Sequence, residues 1–299
     1  MNAAIARLWA ALVEASADWP ARARERIAAA VGTLLWLVVA SRRRIAMANL
    51  AACFPAMPRA QRRALARRLF QRMARAVLDY GVLWSASREK LDDFVRVEGL
   101  QHLLERSEAP LIMLAPHFLG LDAGGIRISM EFKAVTIYAR QSNPVWNERL
   151  QRGRARFNEP VLIARRGADL RAALRAMKDG LPFYYLPDMD SGAQNSIFVP
   201  FFGEPAATLP MVSRLARAIG ARVVMTVTEQ TPEGYVLHVE PPWENFPGAS
   251  VEEDTLRMNR EIERWVLRMP DQYLWTHRRF KTRPAGAAPI YGRRARQAG

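Results

Sequence analysis

Cysteine is almost missing from this chain: of 299 residues only Cys53 is one. That excludes an internal disulfide and any zinc site built from several cysteines, and it is consistent with a reducing compartment. Acidic residues are also scarce. Asp and Glu number 29 against 44 Lys and Arg, a formal net charge of +15. Such a surface attracts phosphates, whether of nucleic acid, anionic lipid or an acidic protein partner. The chain has no phosphate-cradling Walker loop, no dinucleotide-binding glycine fingerprint, no GxSxG elbow and no internal repeat. Nucleotide-driven, dinucleotide-dependent and serine-elbow chemistries lose their usual signatures.

Long hydrophobic runs are lacking too. Residues 3–13, AAIARLWAALV, are interrupted by Arg7. The uncharged run IAAAVGTLLWLVVA, 27–40, has fourteen residues, about 21 Å of helix against a hydrocarbon core of about 30 Å. It reads as a core or interfacial helix, or as a tilted, partly inserted anchor. A signal peptide fits less well, because the run begins late and Arg42, Arg43 and Arg44 follow it at once. Arginines on both sides of the run favour an anionic membrane surface facing the cytoplasm. Residues 1–45 are therefore expected to form a membrane-associated helical region, 46–290 the main domain and 291–299 a basic tail.

What remains is rich in apolar residues, half of the composition, and long enough for one large domain or one domain plus an appendage. From Pro58 to about Trp84, Leu65, Leu69, Met73, Val77 and Tyr80 recur at steps of three and four, predicting an amphipathic helix. From about Phe94 strands and helices alternate. Strands are predicted at 94–97, 111–115, 134–138, 160–163, 182–186, 222–228 and 235–239. Helices are predicted near 99–106, 121–130, 144–156, 168–179, 208–219 and 251–268. The fold class is α/β: a layered sandwich with a mixed, mainly parallel sheet flanked by helices. The pair 222–228 and 235–239, joined through TPEG, suggests a hairpin at the sheet edge.

The most informative segment is LIMLAPHFLGLDAGG, 111–125. Leu111 to Ala115 read as a buried strand stopped by Pro116, and His117 and Asp122 follow. On an ideal helix side chains five apart point about 140° away from each other. On a strand–loop–helix junction, with Gly120 permitting a turn, Asp122 is expected to fold back and bond one nitrogen of His117. The other nitrogen is then left free as a base for a hydroxyl. Open α/β sheets place their ligands at such strand ends. A structural His–Asp pair is the plainer reading of the spacing alone.

Other constellations leave more open. Arg140, Arg154, Arg156, Arg165 and Arg166 follow the His/Asp loop and lie near predicted strand or helix ends; singly each suits a solvated face, together a phosphate clamp. The stretch 184–208 ends a second apolar strand in Pro187, followed by Asp188 and Asp190. These two suggest substrate binding or a plain turn; a metal is disfavoured, since no second histidine is near. The following FVPFF is either core or the wall of an acyl pocket. DQYLWTHRRFKTRP, 271–284, mixes basic residues with Tyr273, Trp275 and Phe280, which suits single-stranded nucleic acid or a lipid headgroup layer equally.

Several segments carry a resemblance. RRRIAMANLAACFP (42–55), APHFLGLDAG (115–124), YARQSNPVWNERLQRGRAR (138–156), LPDMDSG (186–192), FVPFFGEPAAT (198–208) and PDQYLWTHRRFKTRPAG (270–286) resemble the late acyltransferases of lipid A biosynthesis, the lauroyl/myristoyl transferase family, over about residues 5–291. The resemblance implies a membrane-associated O-acyltransferase at the cytoplasmic face of the inner membrane. It implies His117 and Asp122 as the catalytic pair, with Asp122 standing where glutamate is common. It also implies Arg140, Arg154, Arg156, Arg166, Asp188 and Asp190 as substrate-binding candidates, although Ala139 stands where many members have arginine. The implied partners are acyl carrier protein as donor, a phosphorylated glycolipid acceptor and the inner-membrane surface. No nucleic acid, cofactor or metal is implied. The alternative is a related acyltransferase acting on another glycolipid or an amino-acid lipid, because scaffold and dyad do not set the acceptor.

Overall fold

The computed structural model describes residues 3–105, 107–164 and 169–292. Five helices come first: α1 (Ala3–Ala15), α2 (Ala21–Val38), α3 (Ala40–Cys53), α4 (Arg59–Ser85) and α5 (Arg88–Phe94). The α/β part follows as β1 (Val95–Glu98), α6 (Gln101–Leu104), β2 (Leu111–Leu114), α7 (Leu121–Ile128), β3 (Val135–Tyr138), α8 (Pro144–Arg154), β4 (Val161–Ala164), α9 (Asp169–Lys178) and β5 (Phe183–Tyr185). It closes with β6 (Ile197–Phe201), β7 (Glu204–Thr208), α10 (Met211–Ile219), β8 (Arg222–Gln230), β9 (Tyr235–Val239) and α11 (Val251–Arg268).

Seven strands form one sheet in the order β1-β9-β8-β2-β5-β3-β4, and β6 and β7 form a separate antiparallel hairpin. Every neighbouring pair in the large sheet is parallel except β8 with β9. The sheet is mixed and mainly parallel, as the alternating pattern predicts. The 222–239 hairpin, expected at the edge, is interior: β1 continues the sheet beyond β9. The β6–β7 hairpin escapes sequence reading because Pro200 and Pro205 face each other across it. Proline removes a ladder donor and normally argues against a strand.

Local sequence explains where the helices start. Asn143 caps α8 by accepting from Val145 N and Trp146 N, with Pro144 at the first helical position. Ser250 caps α11 by accepting from Glu253 N, and Glu252, Glu253 and Asp254 fill its positively polarised first turn. β2 is buried at all four positions because it lies mid-sheet between β8 and β5 with helices on both faces.

The amino-terminal helices pack on α4. The Arg24 guanidinium pairs with buried Asp79 at 3.2 Å, and Arg75 bonds Glu25 at 2.8 Å. Ser16 Oγ donates to Leu78 O at 2.7 Å. Two buried charges must be partnered to be tolerated, so Arg24 and Asp79 fix α2 on α4. One large core then joins α3 and α4 to the sheet, α10, α11 and the segment 269–280. Among the described residues no helix is long and apolar enough to cross a membrane.

Candidate active site

β2 and β5 are adjacent and parallel, with Leu114 opposite Tyr185. Their carboxyl ends therefore open onto the same sheet edge. Each strand is followed by an apolar residue, a proline and then a polar group: Ala115, Pro116, His117 after one, Leu186, Pro187, Asp188 after the other. Equal offsets from paired strand ends bring the two side chains together. His117 Nδ1 lies 2.7 Å from Asp188 Oδ1, and His117 N donates to Asp188 Oδ2 at 3.0 Å.

This corrects the expected pairing of His117 with Asp122. Asp122 sits in the first turn of α7 and turns toward α4 and α8 instead. Its Oδ1 accepts from Arg154 at the end of α8, at 2.8 Å from Nε and 2.7 Å from the terminal nitrogen, and its Oδ2 accepts from the Tyr80 hydroxyl. The reason is charge and reach. Arg154 offers two donors to one carboxylate, a strong geometry that the short Asp side chain meets without bending back over the loop. Gly124, the next position but one, lies so close to Thr228 that a side chain there would clash, which holds α7 against β8.

The Asp188 side chain is 1% exposed. Burial alone would raise its pKa, but the His117 charge, its ring hydrogen bond and its backbone N–H lower it well below the usual carboxylate range. Asp188 is thus an anion that accepts from Nδ1–H. That fixes the tautomer and leaves Nε2 of His117 with its lone pair. Asp188, expected among substrate contacts, is the partner of the histidine. Burial, with the Asp122 charge, pushes Tyr80 well above its ordinary pKa, so it stays a donor. Burial lowers the Arg154 pKa, but the Asp122 charge and hydrogen bond, with the Tyr80 and Tyr138 hydroxyls, together outweigh it and the net direction is up.

His117, Asp122 and Arg154 line a cavity of about 590 Å³. Its walls are largely apolar and include Leu121, Ile126, Ile128, Val135, Ile137 and Leu162. A second histidine, His277, lies in the same wall with its ring edge-on to His117 at 5.0 Å between centroids. The loop that carries it is bound to the histidine loop: Leu274 N donates to His117 O at 2.9 Å and Leu119 N to Gln272 O at 3.0 Å.

The remaining expected residues divide. Asp190 accepts from Thr282 Oγ1 at 2.9 Å and Thr282 N at 2.6 Å, so it ties two loops rather than facing the cavity. Arg156 donates to Leu83 O and Ala86 O, satisfying the carboxyl end of α4, and stacks on Phe157. Arg140 is exposed beside the cavity, which Ala139 and Gln141 line on either side of it. Arg166, with Arg165, lies outside the described residues. Phe201 and Val199 of FVPFF are buried core and not cavity wall. Among the described residues no cluster of His, Cys, Asp and Glu suits a metal. Sequence reading missed Tyr80 and His277, whose positions at the site follow only from long-range packing.

Comparison with known proteins shows the family. Residues 2–282 match the family model described as bacterial lipid A biosynthesis acyltransferase. The lipid A biosynthesis lauroyltransferase of Escherichia coli (strain K12) is 31% identical, covering 89% of this chain and 88% of that protein. The lipid A biosynthesis palmitoleoyltransferase of the same organism is 31% identical over 87% of this chain and 86% of its own length. The corresponding myristoyltransferase is 30% identical, with 92% and 86% covered. An apolar cavity headed by a buried-carboxylate histidine thus lies within an alignment spanning nearly the whole chain: the protein belongs to the bacterial lipid A biosynthesis acyltransferase family and is an acyltransferase.

Proposed function

We propose that this enzyme moves a fatty acyl chain from the thioester of acyl carrier protein to a hydroxyl of a phosphorylated glycolipid, a lipid A precursor. The observation that carries the reading is His117, its Nδ1 held by Asp188, at the wall of a mostly apolar cavity of about 590 Å³. That volume lies in the ordinary range for a small-molecule site, and its apolar walls suit a hydrocarbon chain. Nε2 of His117 removes the hydroxyl proton of the acceptor as its oxygen attacks the thioester carbonyl carbon. Asp188 stabilises the imidazolium that forms. The carbon–sulfur bond then breaks, and the leaving thiolate takes the proton back from His117. Asp122, anchored by Arg154 and Tyr80, is a fixed anion on the same wall that shapes the acceptor side. Arg154 and exposed Arg140 are the described arginines positioned to meet acceptor phosphates there, with Arg154 already shared with Asp122.

The reading places the enzyme at the cytoplasmic face of the inner membrane. Ile5, Leu8, Trp9 and Leu12 of α1 and Ile27, Leu34, Leu35, Leu37 and Val38 of α2 are exposed. Exposed apolar side chains on two short helices, with Arg7, Arg22 and Arg26 beside them, suit an interfacial attachment to anionic lipid. Residues 1–45 are then the attachment region, built onto the α/β domain through α4.

Purified enzyme incubated with acyl carrier protein thioester and an acylated glucosamine disaccharide phosphate tests the reading. A mass gain of one acyl group on the acceptor supports it. Acylation of another glycolipid with no gain on the disaccharide would assign the enzyme to a sister reaction.

A further inference from the structure

An attack on a thioester drives negative charge onto the carbonyl oxygen, and that oxygen needs hydrogen-bond donors. Loop amides at a strand end are the usual supply. Here three amides of the histidine loop are committed: His117 N donates to Asp188, Phe118 N to Pro116 O, and Leu119 N to Gln272 O. Several side-chain donors in the cavity are also occupied. Thr136 Oγ1 donates to Tyr184 O, the Tyr184 hydroxyl to Leu121 O, and Arg154 to Asp122.

His277 differs. Its ring lies in the cavity wall, 5.0 Å from the His117 ring, and among the described residues its ring nitrogens have no hydrogen-bond partner. Its backbone is rigidly held: His277 O accepts from Asn49 Nδ2 at 2.6 Å, and His277 N donates to Leu274 O at 3.0 Å. A fixed ring beside the general base, with nothing bonded to it, is placed to meet the same reacting carbonyl.

Resting on the acyl-transfer reading above, we propose that His277 is a further catalytic residue, whose neutral ring N–H donates to the thioester oxygen as it becomes an oxyanion. His117 takes the acceptor proton. The acceptor oxygen forms its bond to the carbonyl carbon, and the π electrons move to the oxygen that His277 holds. The C=O bond reforms as the thiolate leaves with the proton from His117. His277 gives up no proton at any stage. Its charge state fits: burial, the neighbouring His117 and Arg42 lower its pKa to about 4, against the pull of Asp188 upward, so it is uncharged at neutral pH.

The test compares His277→Phe, which keeps a ring and removes the donor, with His277→Gln, which keeps a donor and loses the ring. On acyl carrier protein thioester and glycolipid, His277→Phe should lose about 10²–10³-fold in kcat with KM within a few-fold. His277→Gln should stay within about tenfold of the parent. Neither substitution should move the acid limb of the kcat/KM profile. If Phe retains turnover while Gln loses it, the ring merely packs and the proposal fails. A shifted acid limb in His277→Phe also overturns it, because His277 would then be exchanging protons. Should the Phe variant not fold, His277→Leu against His277→Gln carries the same comparison. His117→Ala run alongside separates the two claims: its survival would refute the base, not the donor.

Discussion

His117 Nδ1 and Asp188 Oδ1 stand 2.7 Å apart although 71 residues separate them in the chain. Because Asp188 rather than Asp122 holds the His117 ring, the two carboxylates should fail differently under the proposed mechanism. Asp188→Asn should cost about 10³–10⁴-fold in kcat with fold retained, since it stabilises the wrong tautomer and removes the charge opposite the imidazolium. Asp122→Asn should cost less in kcat and more in KM for the acceptor. Steady-state kinetics on both variants decide this; equal kcat losses with unchanged KM would count against the assignment.

Arg154 and Asp122 are expected to couple in stability. Arg154→Ala leaves a carboxylate at the cavity wall with Tyr80 as its remaining partner. A double-mutant cycle with Asp122→Ala, read by urea denaturation, should give a coupling of about 1–3 kcal/mol. Additivity within about 0.5 kcal/mol would mean the pair contributes nothing that solvent does not replace.

Gly125 offers a way to shorten the cavity. It lines the wall, and a Cβ there would meet the Tyr184 ring at 3.5 Å, ordinary contact distance. A longer side chain must enter the cavity. Gly125→Leu should shift preference toward donors shorter by two or more carbons without abolishing transfer. Mass spectrometry of product from mixed donors reads the shift, and an unchanged chain distribution would place the acyl group elsewhere.

His277 predicts an acid-side stability slope. Its pKa is about 4 in the folded protein, against about 6.5 unfolded. Between those values the unfolded chain binds the proton and the folded chain does not. Stability therefore falls as pH drops from about 6.5 toward 4, by at most about 3 kcal/mol from this group. Asp188 has the opposite assignment: its lowered folded pKa contributes stability above about 3.9, lost only at stronger acid, so it adds no slope in that window. Urea melts at pH 7, 5.5 and 4.5 should show a shallower decline for His277→Phe than for the parent. Parallel declines would contradict the depressed value.

The proposed attachment surface predicts that Leu8→Asp, Leu34→Asp and Leu37→Asp together lower partitioning onto anionic vesicles on the order of a hundredfold or more. These side chains are 71%, 58% and 60% exposed, so the fold should not depend on them. Circular dichroism should match the parent, and co-sedimentation should not. A variant that still sediments fully would move the attachment site off α1 and α2.

Sequence reading located most of the α/β framework because hydrophobic period is a local property. α11 was legible to the residue, and β2 nearly so, since apolar runs and caps mark them. His117 was legible for the same reason, lying just past a buried strand. Its partner was not. Asp122 is near in sequence, whereas Asp188 becomes near only once β2 and β5 are paired in register, and spacing cannot encode that register. The equal strand–proline–polar endings at 117 and 188 were visible, but without the strand order they could not be joined. Tyr80 and His277 were hidden in an amphipathic helix and a basic-aromatic block, where composition suits several roles.

The bonds that seat the His277 loop set an order of events during synthesis. Asn49 Nδ2 reaches Trp275 O and His277 O, its Oδ1 accepts from the Tyr291 hydroxyl, and that hydroxyl also receives Phe280 N. An asparagine made early waits for a tyrosine 242 residues further along the chain. At roughly 5–20 residues per second the ribosome takes tens of seconds to travel from His117 to Tyr291. Throughout that interval His117 is present but the loop facing it is not yet seated. A nascent chain that has reached only His117 therefore lacks the loop that faces it, and that loop is seated once Tyr291 has been made and its hydroxyl bonds Asn49 of α3.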